Sequence, residues 1–178
     1  CLDSDNVLAP RIVPVLKKYL LENNADIATF GELHFFKDDI KKITHKWIFK
    51  DNQIELKDAL AGYKWPGPSG NYLFTKRSWL NAGRYNESIG GAYDSWAFGI
   101  KQLAMGSKMI TMKNSFYYHR AGHESAFIRD KDKIKPSLIA LSVLINFLDL
   151  IEEEDVDYIM SKEHRYSWFD NLEKRPIR

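Results

Sequence analysis

Three acidic residues in the sequence could carry chemistry because of their neighbours. Asp3 and Asp5 are separated by one residue in Cys1-Leu2-Asp3-Ser4-Asp5-Asn6, and Asp94 lies in the aromatic run Tyr93-Asp94-Ser95-Trp96. Two close carboxylates offer the hard oxygen ligands that Mn²⁺ and Mg²⁺ prefer. A carboxylate among aromatic rings is partly desolvated, which raises its pKa and makes it a better base. These residues therefore predict a cation site near the start of the sequence and a general base near its middle.

Each of these motifs also has a purely structural explanation. A short DxD motif is common by chance, and Asp3-Ser4-Asp5 could form a turn or an N-cap before a helix that begins near Pro10. Asp94 could cap its own helix, because aspartate accepts hydrogen bonds well at that position. His119, at the end of a predicted strand, could be a structural histidine, and Arg120 could form surface ion pairs. At the level of sequence these alternatives stay open.

The composition indicates an ordinary globular protein with one domain. Its 178 residues are 44% hydrophobic and 28% charged, which provides enough apolar surface for a core. The net charge of +2 creates no field of one sign, so nucleic acid is not expected as a partner. The single cysteine, Cys1, excludes an internal disulfide and suits a reducing compartment. Without a secretion-signal pattern or an apolar run of membrane-spanning length, we expect a cytoplasmic protein that touches a membrane at most peripherally.

The periodicity of the first half predicts the elements that would position these residues. We expect a helix from near Pro10 to the pair Asn23-Asn24, then a strand over residues 25–36. Two paired strands over residues 44–56 should turn at Asp51-Asn52. Residues 65–70 hold two prolines and two glycines and predict a loop. A strand over residues 71–75 and a helix over residues 76–82, ended by Gly83, follow this loop.

The second half of the sequence predicts a similar alternation. A helix over residues 94–105 begins at Asp94 and ends before Gly106. Two strands, residues 108–112 and 115–119, should turn at Lys113-Asn114. A strongly apolar helix is expected over residues 138–151, and another begins near Asp155. The pattern as a whole is typical of an α/β protein in which Asp94 opens a helix and His119 ends a strand.

Several motifs occur together in a specific order. They are Asp3-Ser4-Asp5-Asn6, Gly70-Asn71-Tyr72-Leu73-Phe74-Thr75-Lys76-Arg77, Ala82-Gly83-Arg84-Tyr85-Asn86-Glu87, Tyr93-Asp94-Ser95-Trp96 and Tyr117-Tyr118-His119-Arg120. In this order and spacing the sequence resembles the inverting nucleotide-sugar glycosyltransferases with the GT-A fold, the glycosyltransferase family 2-like group. The resemblance covers residues 1–125, which correspond to the C-terminal half of the catalytic domain. Residues 126–178 are expected to form a helical extension packed on the same domain.

The resemblance implies a role for each matching residue. Asp5 would be the main ligand of Mn²⁺ or Mg²⁺, and Asp3 would face the metal or the ribose of the donor. Asp94 would be the general base. His119 and Arg120 would complete the surroundings of the metal and the donor phosphates. The family usually has Glu-Asp where this chain has Tyr93-Asp94, so the proposed base is Asp94 alone.

Three aromatic residues are candidates for platforms against sugar rings. They are Trp65, Tyr93 and Trp96. The implied activity is hexosyl transfer in polysaccharide biosynthesis, from a nucleotide-sugar donor to a hydroxyl of a glycan, lipid-linked or protein-linked acceptor. Inversion is expected, although retention stays open. The resemblance also implies that the donor-binding strands lie outside this sequence, so this segment alone should be inactive.

Two other functions remain as alternatives. The first is a catalytically degenerate carbohydrate-binding or scaffolding fragment, which the missing Glu before Asp94 favours. The second is a metal-dependent phosphoesterase that uses Asp3, Asp5 and His119. The two differ from a transferase in a measurable way, because neither passes a sugar to an acceptor.

Overall fold

A six-stranded mixed sheet forms the centre of the described chain. The structure is a computed structural model, and it describes residues 1–49, 52–60, 71–85, 94–123 and 142–155. The strands are Val7–Leu8 (β1), Ile27–Phe36 (β2), His45–Ile48 (β3), Gln53–Ile54 (β4), Tyr72–Phe74 (β5) and Met109–Arg120 (β6). The helices are Ile12–Glu22 (α1), Leu56–Leu60 (α2), Lys76–Asn81 (α3) and Asp94–Ala104 (α4), followed by a 3₁₀ helix at Ile145–Leu150.

Two long parallel strands, β2 and β6, are the backbone of the sheet. On the outer side of β2, β5 pairs with its first half and β3 with its second half. On the outer side of β6, β4 pairs with its beginning and β1 with its end. The carboxyl ends of both long strands therefore lie side by side, at the edge where open α/β sheets bind ligands.

Helices cover both faces of this sheet. α1 buries Ile12, Leu16 and Leu20 at four-residue spacing, and these side chains pack on the β2 face that carries Ala28. α2 and α4 pack on the opposite face, around Ile27. Because the consecutive residues Ile27 and Ala28 belong to different core clusters, the sheet separates two hydrophobic cores. The described part of the chain is thus a three-layer α/β/α structure, as the alternating sequence pattern predicts.

A bulge at Gly31 interrupts the β2–β6 ladder. Phe30 pairs with Met112 and Glu32 with Phe116, so residues 113–115 of β6 lie opposite Gly31 alone. The alternation of side chains between the two faces of the sheet reverses at this bulge. This explains why Phe30 and Leu33, which are three positions apart, lie in the same core cluster.

Close backbone contact makes glycine necessary at this bulge. A Cβ on Gly31 would lie 2.6 Å from the Met112 carbonyl oxygen. The Gly31 nitrogen donates to Ser115 Oγ at 3.1 Å, and Asn114 has a positive φ of 59°. The predicted turn at Lys113-Asn114 is therefore wrong. Instead of two strands, the chain forms one strand that bulges at these residues, because its partner is β2 rather than itself.

The predicted pairing within residues 44–56 is also wrong. Both strands form, but β3 pairs with β2 and β4 pairs with β6. The Phe49 nitrogen donates to Gly31 O at 2.8 Å, and the Thr111 nitrogen donates to Asn52 O at 2.9 Å. The chain therefore passes from the β2 edge to the β6 edge between residues 49 and 52. Hydrogen bonds to the long central strands replace the hairpin that local sequence suggested.

The other predicted elements of the described chain are found close to their expected positions. α3 and α4 are followed by Gly83 and Gly106, both with positive φ, at 71° and 81°. Residues 145–150 form a 3₁₀ helix within the segment expected as an apolar α-helix. The loop expected over residues 65–70 and most of the expected extension, residues 126–178, lie outside the described residues. No helix among the described residues is long and apolar enough to cross a membrane.

Candidate active site

A turn at the start of the chain presents both aspartates of the DxD motif. The Asn6 nitrogen donates to Asp3 O at 3.1 Å, and β1 follows directly. β1 pairs with Tyr117 and Tyr118 of β6. The Asn6 side-chain oxygen also accepts a hydrogen bond from the Arg120 backbone nitrogen at 2.9 Å. These contacts hold the turn beside the carboxyl end of β6, where His119 and Arg120 lie.

Asp3 is fixed by amide groups. Its backbone nitrogen donates to Asn71 Oδ1 at 2.7 Å, and its Oδ2 accepts from Asn71 Nδ2 at 2.9 Å and from Asn6 Nδ2 at 3.2 Å. Asn71 is fully buried, directly before β5. Because both amides hold the Asp3 carboxylate and its backbone, the orientation of this side chain is set before any ligand arrives.

A short polar chain connects Asp3 to His119. Asn71 Nδ2 donates to the Tyr117 hydroxyl at 3.3 Å, and this hydroxyl lies 3.4 Å from His119 Nδ1. Burial lowers the pKa of His119, against the opposing charges of Asp3 and Asp5. The imidazole is therefore neutral near pH 7, and it can act as a hydrogen-bond donor or acceptor rather than as a charge.

The Asp5 carboxylate is in contact with a second histidine. Its Oδ2 lies 2.7 Å from His123 Nε2, and both side chains are one-third exposed. The other ring nitrogen, His123 Nδ1, is buried without a hydrogen-bond partner. Arg120 is exposed and its Nε donates to the Lys37 carbonyl oxygen at 3.3 Å. The expected residues Asp3, Asp5, His119 and Arg120 are thus brought to one end of the sheet.

Asp94 is the first residue of α4 and is partly buried. Its Oδ1 accepts hydrogen bonds from the Ser95 nitrogen at 2.7 Å and the Ser95 hydroxyl at 3.2 Å. Burial raises the pKa of the Asp94 carboxyl; the Ser95 bonds lower it, and the charge of Asp3 raises it further. Asp94 and Asp3 are therefore within electrostatic range of each other, and Asp94 binds a proton more readily than an exposed aspartate.

Two tyrosines adjoin this pair of carboxylates. Burial, followed by the charges of Asp94 and Asp3, raises the pKa of Tyr85 to about 12. Burial, together with the charges of Tyr85 and Asp94, also raises the pKa of Tyr72. Both phenols are thus protonated at neutral pH. Tyr72 OH donates to the buried Gln102 Oε1 at 2.9 Å, which ties β5 to α4 beneath the site.

The expected sugar platforms have different outcomes. Trp96 is only 1% exposed and belongs to the core between α4 and the sheet. The prediction that Trp96 faces a sugar is therefore wrong, because a side chain two residues after Asp94 lies on a different face of the helix. Trp65 and Tyr93 lie outside the described residues, so their role stays a prediction.

The described residues do not form a ready-made metal site. No group of three His, Cys, Asp or Glu side chains among them is placed to hold a metal ion. The donor types suit a hard or borderline cation, with Asp3, Asp5 and His119 in mutual electrostatic contact. In the present arrangement, however, Asp5 pairs with His123 and Asp3 with its two amides. A cation at Asp5 would bind the second carboxylate oxygen or share Oδ2 with the imidazole of His123.

Sequence reasoning missed three residues that contribute to the site. They are Asn71, Tyr85 and Tyr117. Asn71 and Tyr85 belong to motifs that carry the family resemblance, yet their own roles depend on partners far along the chain. Asn71 contacts Asp3 across 68 positions. The available signal was a polar residue directly before a short buried strand, which is too common to identify a site.

No family model and no curated protein matches the sequence. Among solved structures, the fold is similar to that of TarS from S. aureus, a glycosyltransferase, with a TM-score of 0.57 and 15% sequence identity. The match covers 99% of this chain and 30% of the TarS chain. The described α/β sheet and its helices therefore define a glycosyltransferase-like fold. At this identity the similarity concerns the fold alone.

Proposed function

We propose that this chain is part of a glycosyltransferase of the GT-A type that moves a sugar from a nucleotide-diphosphate donor to a hydroxyl acceptor. The observation that carries the proposal is that Asp94, whose pKa burial raises, lies within electrostatic range of the oriented carboxylate of Asp3 in a fold similar to that of TarS. A base with a raised pKa can take the proton of an acceptor hydroxyl. An oriented carboxylate beside it can hold the cation that binds a diphosphate. The chain spans 30% of the TarS chain, so the activity proposed belongs to the whole protein.

Asp94 acts as the general base in this mechanism. It takes the proton of the acceptor hydroxyl while the acceptor oxygen forms a bond to the anomeric carbon of the sugar. The bond between that carbon and the diphosphate oxygen breaks on the opposite face, so the single displacement inverts the anomeric configuration. The proton remains on Asp94, and the nucleoside diphosphate leaves with the negative charge.

The polar end of the sheet binds the leaving group in this proposal. His119, which is neutral, and the Arg120 guanidinium would contact the phosphates of the donor. Asp5 and Asp3 would hold Mn²⁺ or Mg²⁺, which when bound supplies positive charge against the leaving diphosphate. The acceptor would be a glycan, or a sugar on a lipid or protein, with Trp65 and Tyr93 as further platforms.

A second candidate function is carbohydrate binding without transfer. The contact between His123 Nε2 and Asp5 Oδ2 favours it, because this contact occupies one of the two carboxylate oxygens that a metal would use. Such a protein would bind glycans but release no nucleoside diphosphate from any donor. The two functions therefore differ in a single assay.

A donor screen on the full-length protein tests the proposal. Release of nucleoside diphosphate would be measured with UDP-, GDP- and dTDP-sugars in the presence of Mn²⁺ or Mg²⁺. We expect turnover by the wild type, a loss of about 100-fold or more in Asp94→Asn, and a clear loss in Asp5→Ala. Glu22→Gln, at an exposed carboxylate at the end of α1 and thus at the opposite end of the sheet, is the matched control and should retain activity. Normal turnover by both site variants would refute the mechanism.

A further inference from the structure

We propose that Tyr85 is the aromatic platform and hydroxyl donor that binds a sugar ring beside Asp94, the role that sequence reasoning assigned to Trp96. This inference rests on the proposed function, because the sugar is placed beside Asp94 as the general base. It gives Tyr85 a role in binding that sugar.

The Tyr85 ring is held from one side by the hydrophobic core. It stacks on Phe98 with ring centroids 4.3 Å apart and planes at 26°. Phe98 is 1% exposed, whereas Tyr85 is only partly buried at the margin of the core. One face of the tyrosine ring is therefore supported by protein and part of the side chain reaches solvent. A flat ring supported on one side is the form of an aromatic platform for a sugar.

Phe98 ties this platform to the candidate base. It lies one helical turn after Asp94 in α4, so the two side chains share a face of the helix. Phe98 also contacts Phe74 of β5, with ring centroids 5.6 Å apart, and Phe74 contacts Tyr72 at the same centroid distance. The row of contacting aromatic rings thus extends from Tyr85 to Tyr72. Tyr72 directly follows Asn71, which holds Asp3 by hydrogen bonds.

A constrained turn places Tyr85 at this position. Gly83 and Arg84 both have positive φ, at 71° and 67°, and the Arg84 nitrogen donates to Trp79 O at 3.3 Å. Lys101 Nζ of α4 donates to the Arg84 carbonyl oxygen at 3.3 Å. The segment before Tyr85 is therefore bound both to α3 and to α4, which carries Asp94. This leaves little freedom in where the tyrosine ring lies.

The charges near the hydroxyl favour its use as a donor. Burial and the carboxylates of Asp94 and Asp3 keep the phenol protonated. A neutral O–H near two carboxylates can donate to a sugar hydroxyl that itself donates to one of them. Tyr85 would then select a sugar that presents neighbouring hydroxyls to Asp94 and to Tyr85 at once.

Ligand binding without turnover is the first test. Full-length protein with ¹³C-labelled tyrosine would be titrated with methyl glucoside, methyl galactoside and methyl N-acetylglucosaminide, and Tyr85→Phe would assign the Tyr85 signal. We expect at least one glycoside to shift the Tyr85 signal saturably. The Tyr19 signal should not move, because Tyr19 belongs to α1 and packs on the opposite face of the sheet. No shift of the Tyr85 signal with any glycoside would overturn the inference.

Two substitutions separate the ring from its hydroxyl. Tyr85→Phe keeps the stacking on Phe98 and should weaken glycoside binding about 3- to 10-fold, the effect of one hydrogen bond. Tyr85→Leu removes the platform and should weaken it further, to more than about 10-fold. Tyr19→Phe and Tyr19→Leu, on the α1 face of the sheet, are matched controls and should bind like the wild type. Thermal unfolding confirms that each variant is folded, and unchanged binding by folded Tyr85→Leu would overturn the inference.

The donor screen distinguishes this inference from the proposed function. A protein that binds glycosides at Tyr85 but releases no nucleoside diphosphate refutes transfer and supports the sugar site. A protein that turns over normally, with the same KM for acceptor in Tyr85→Leu as in the wild type, supports transfer and overturns the sugar site. In the expected case, KM for acceptor rises in Tyr85→Phe while kcat changes less, because the hydroxyl binds substrate rather than transferring its proton.

Discussion

Asp26 and Asp94 lie at the two ends of the parallel strand pair, and their pKa values are shifted in opposite directions. Asp26 directly precedes β2, and its carboxylate accepts from Arg77 Nη2 at 2.7 Å and from the Lys108 nitrogen at 3.2 Å. Burial raises the pKa of Asp26, but these partners outweigh burial and lower the pKa overall. Asp94, in contrast, has a raised pKa, and the ion pairs among the described residues do not include it.

This difference in pKa indicates which of the two carboxylates is better suited to act as a base. Asp26 is only 9% exposed, is fully paired and links β2, α3 and β6 at the amino end of the sheet. A carboxylate that already has a cation and a backbone donor is a poor base, since taking a proton would cost those contacts. Asp94 is partly desolvated, and the hydrogen bonds that it accepts from described residues come from Ser95, so proton uptake is easier. Burial alone therefore does not identify a catalytic carboxylate. The hydrogen-bond and ionic partners of the carboxylate decide whether its pKa is raised or lowered.

The strongest test of this contrast is Asp94→Asn. We expect turnover to fall by about 1000-fold, within the range that general base catalysis contributes. The free energy of unfolding at pH 7 should not decrease, because the variant removes a buried ionised group and asparagine can still accept from Ser95. Nucleoside diphosphate release and urea unfolding measure the two quantities. A large loss of stability would assign Asp94 to the framework instead.

Gly31→Ala tests how much the bulge contributes to the stability of the β2–β6 pair that separates Asp26 from the candidate site. The new Cβ would meet the Met112 carbonyl oxygen at 2.6 Å, so the backbone of β2 or β6 must shift. We expect a loss of about 3 kcal/mol in the free energy of unfolding. Gly106→Ala is the control: nothing lies within 4 Å of its Cβ, and only its φ of 81° opposes alanine. Its expected cost is about 1 kcal/mol, and equal losses would contradict the steric explanation.

Asp26→Asn should show the opposite profile to Asp94→Asn. We expect a loss of about 1 kcal/mol in the free energy of unfolding, because the buried Asp26 carboxylate loses its charge, while its partner Arg77 is largely exposed to solvent. Activity per folded molecule should stay near that of the wild type, since Asp26 lies at the other end of the sheet. Unfolding curves and the donor assay, run on the same samples, check both. A variant with full stability but no turnover would reverse the roles assigned to the two residues.

The pH dependence of stability should separate the two aspartates by a smaller effect. The folded pKa of Asp26 is depressed, so its stabilisation is present above about pH 4, the unfolded value, and is lost as pH falls through the folded pKa. The folded pKa of Asp94 is raised, so its ionisation costs stability above that pKa, and the cost disappears below about pH 4.

Unfolding free energies at several pH values check these signs. The advantage of the wild type over Asp26→Asn should hold at neutral pH and shrink only below about pH 4. The difference between Asp94→Asn and the wild type should instead develop as pH rises above that value. Parallel curves for the two variants would contradict the contrast.

Much of the local structure follows from the sequence. The four-residue spacing of Ile12, Leu16 and Leu20 predicts α1, and the glycines at positions 83 and 106 predict the ends of α3 and α4. These signals are local, because helix periodicity and positive φ depend on neighbouring residues. The order of motifs also predicts that Asp3, Asp5, His119 and Arg120 lie at one end of the fold, and the structure places them there.

The pairing of strands could not be predicted in the same way. β3 and β4 were expected to pair with each other, and residues 108–119 were expected to form a hairpin, yet each strand pairs with β2 or β6. A short turn sequence favours a local hairpin, but pairing with the long central strands β2 and β6, which are buried on both faces, competes with that hairpin. Which partner wins depends on the hydrophobic cores on the two sides, and these come from distant parts of the chain.

By itself the sequence determined α1, the ends of α3 and α4, and the order of the acidic residues Asp3 and Asp94. Only the tertiary structure decided which side chains share the site. It turned Trp96 into the core, set Tyr85 on Phe98, and joined Asp3 to Asn71 across 68 positions. The physical reason is that a side chain's face and burial depend on the layer packed against it. The partners of Asp94 and Asp26, and hence the direction of each pKa shift, are therefore a property of the folded chain.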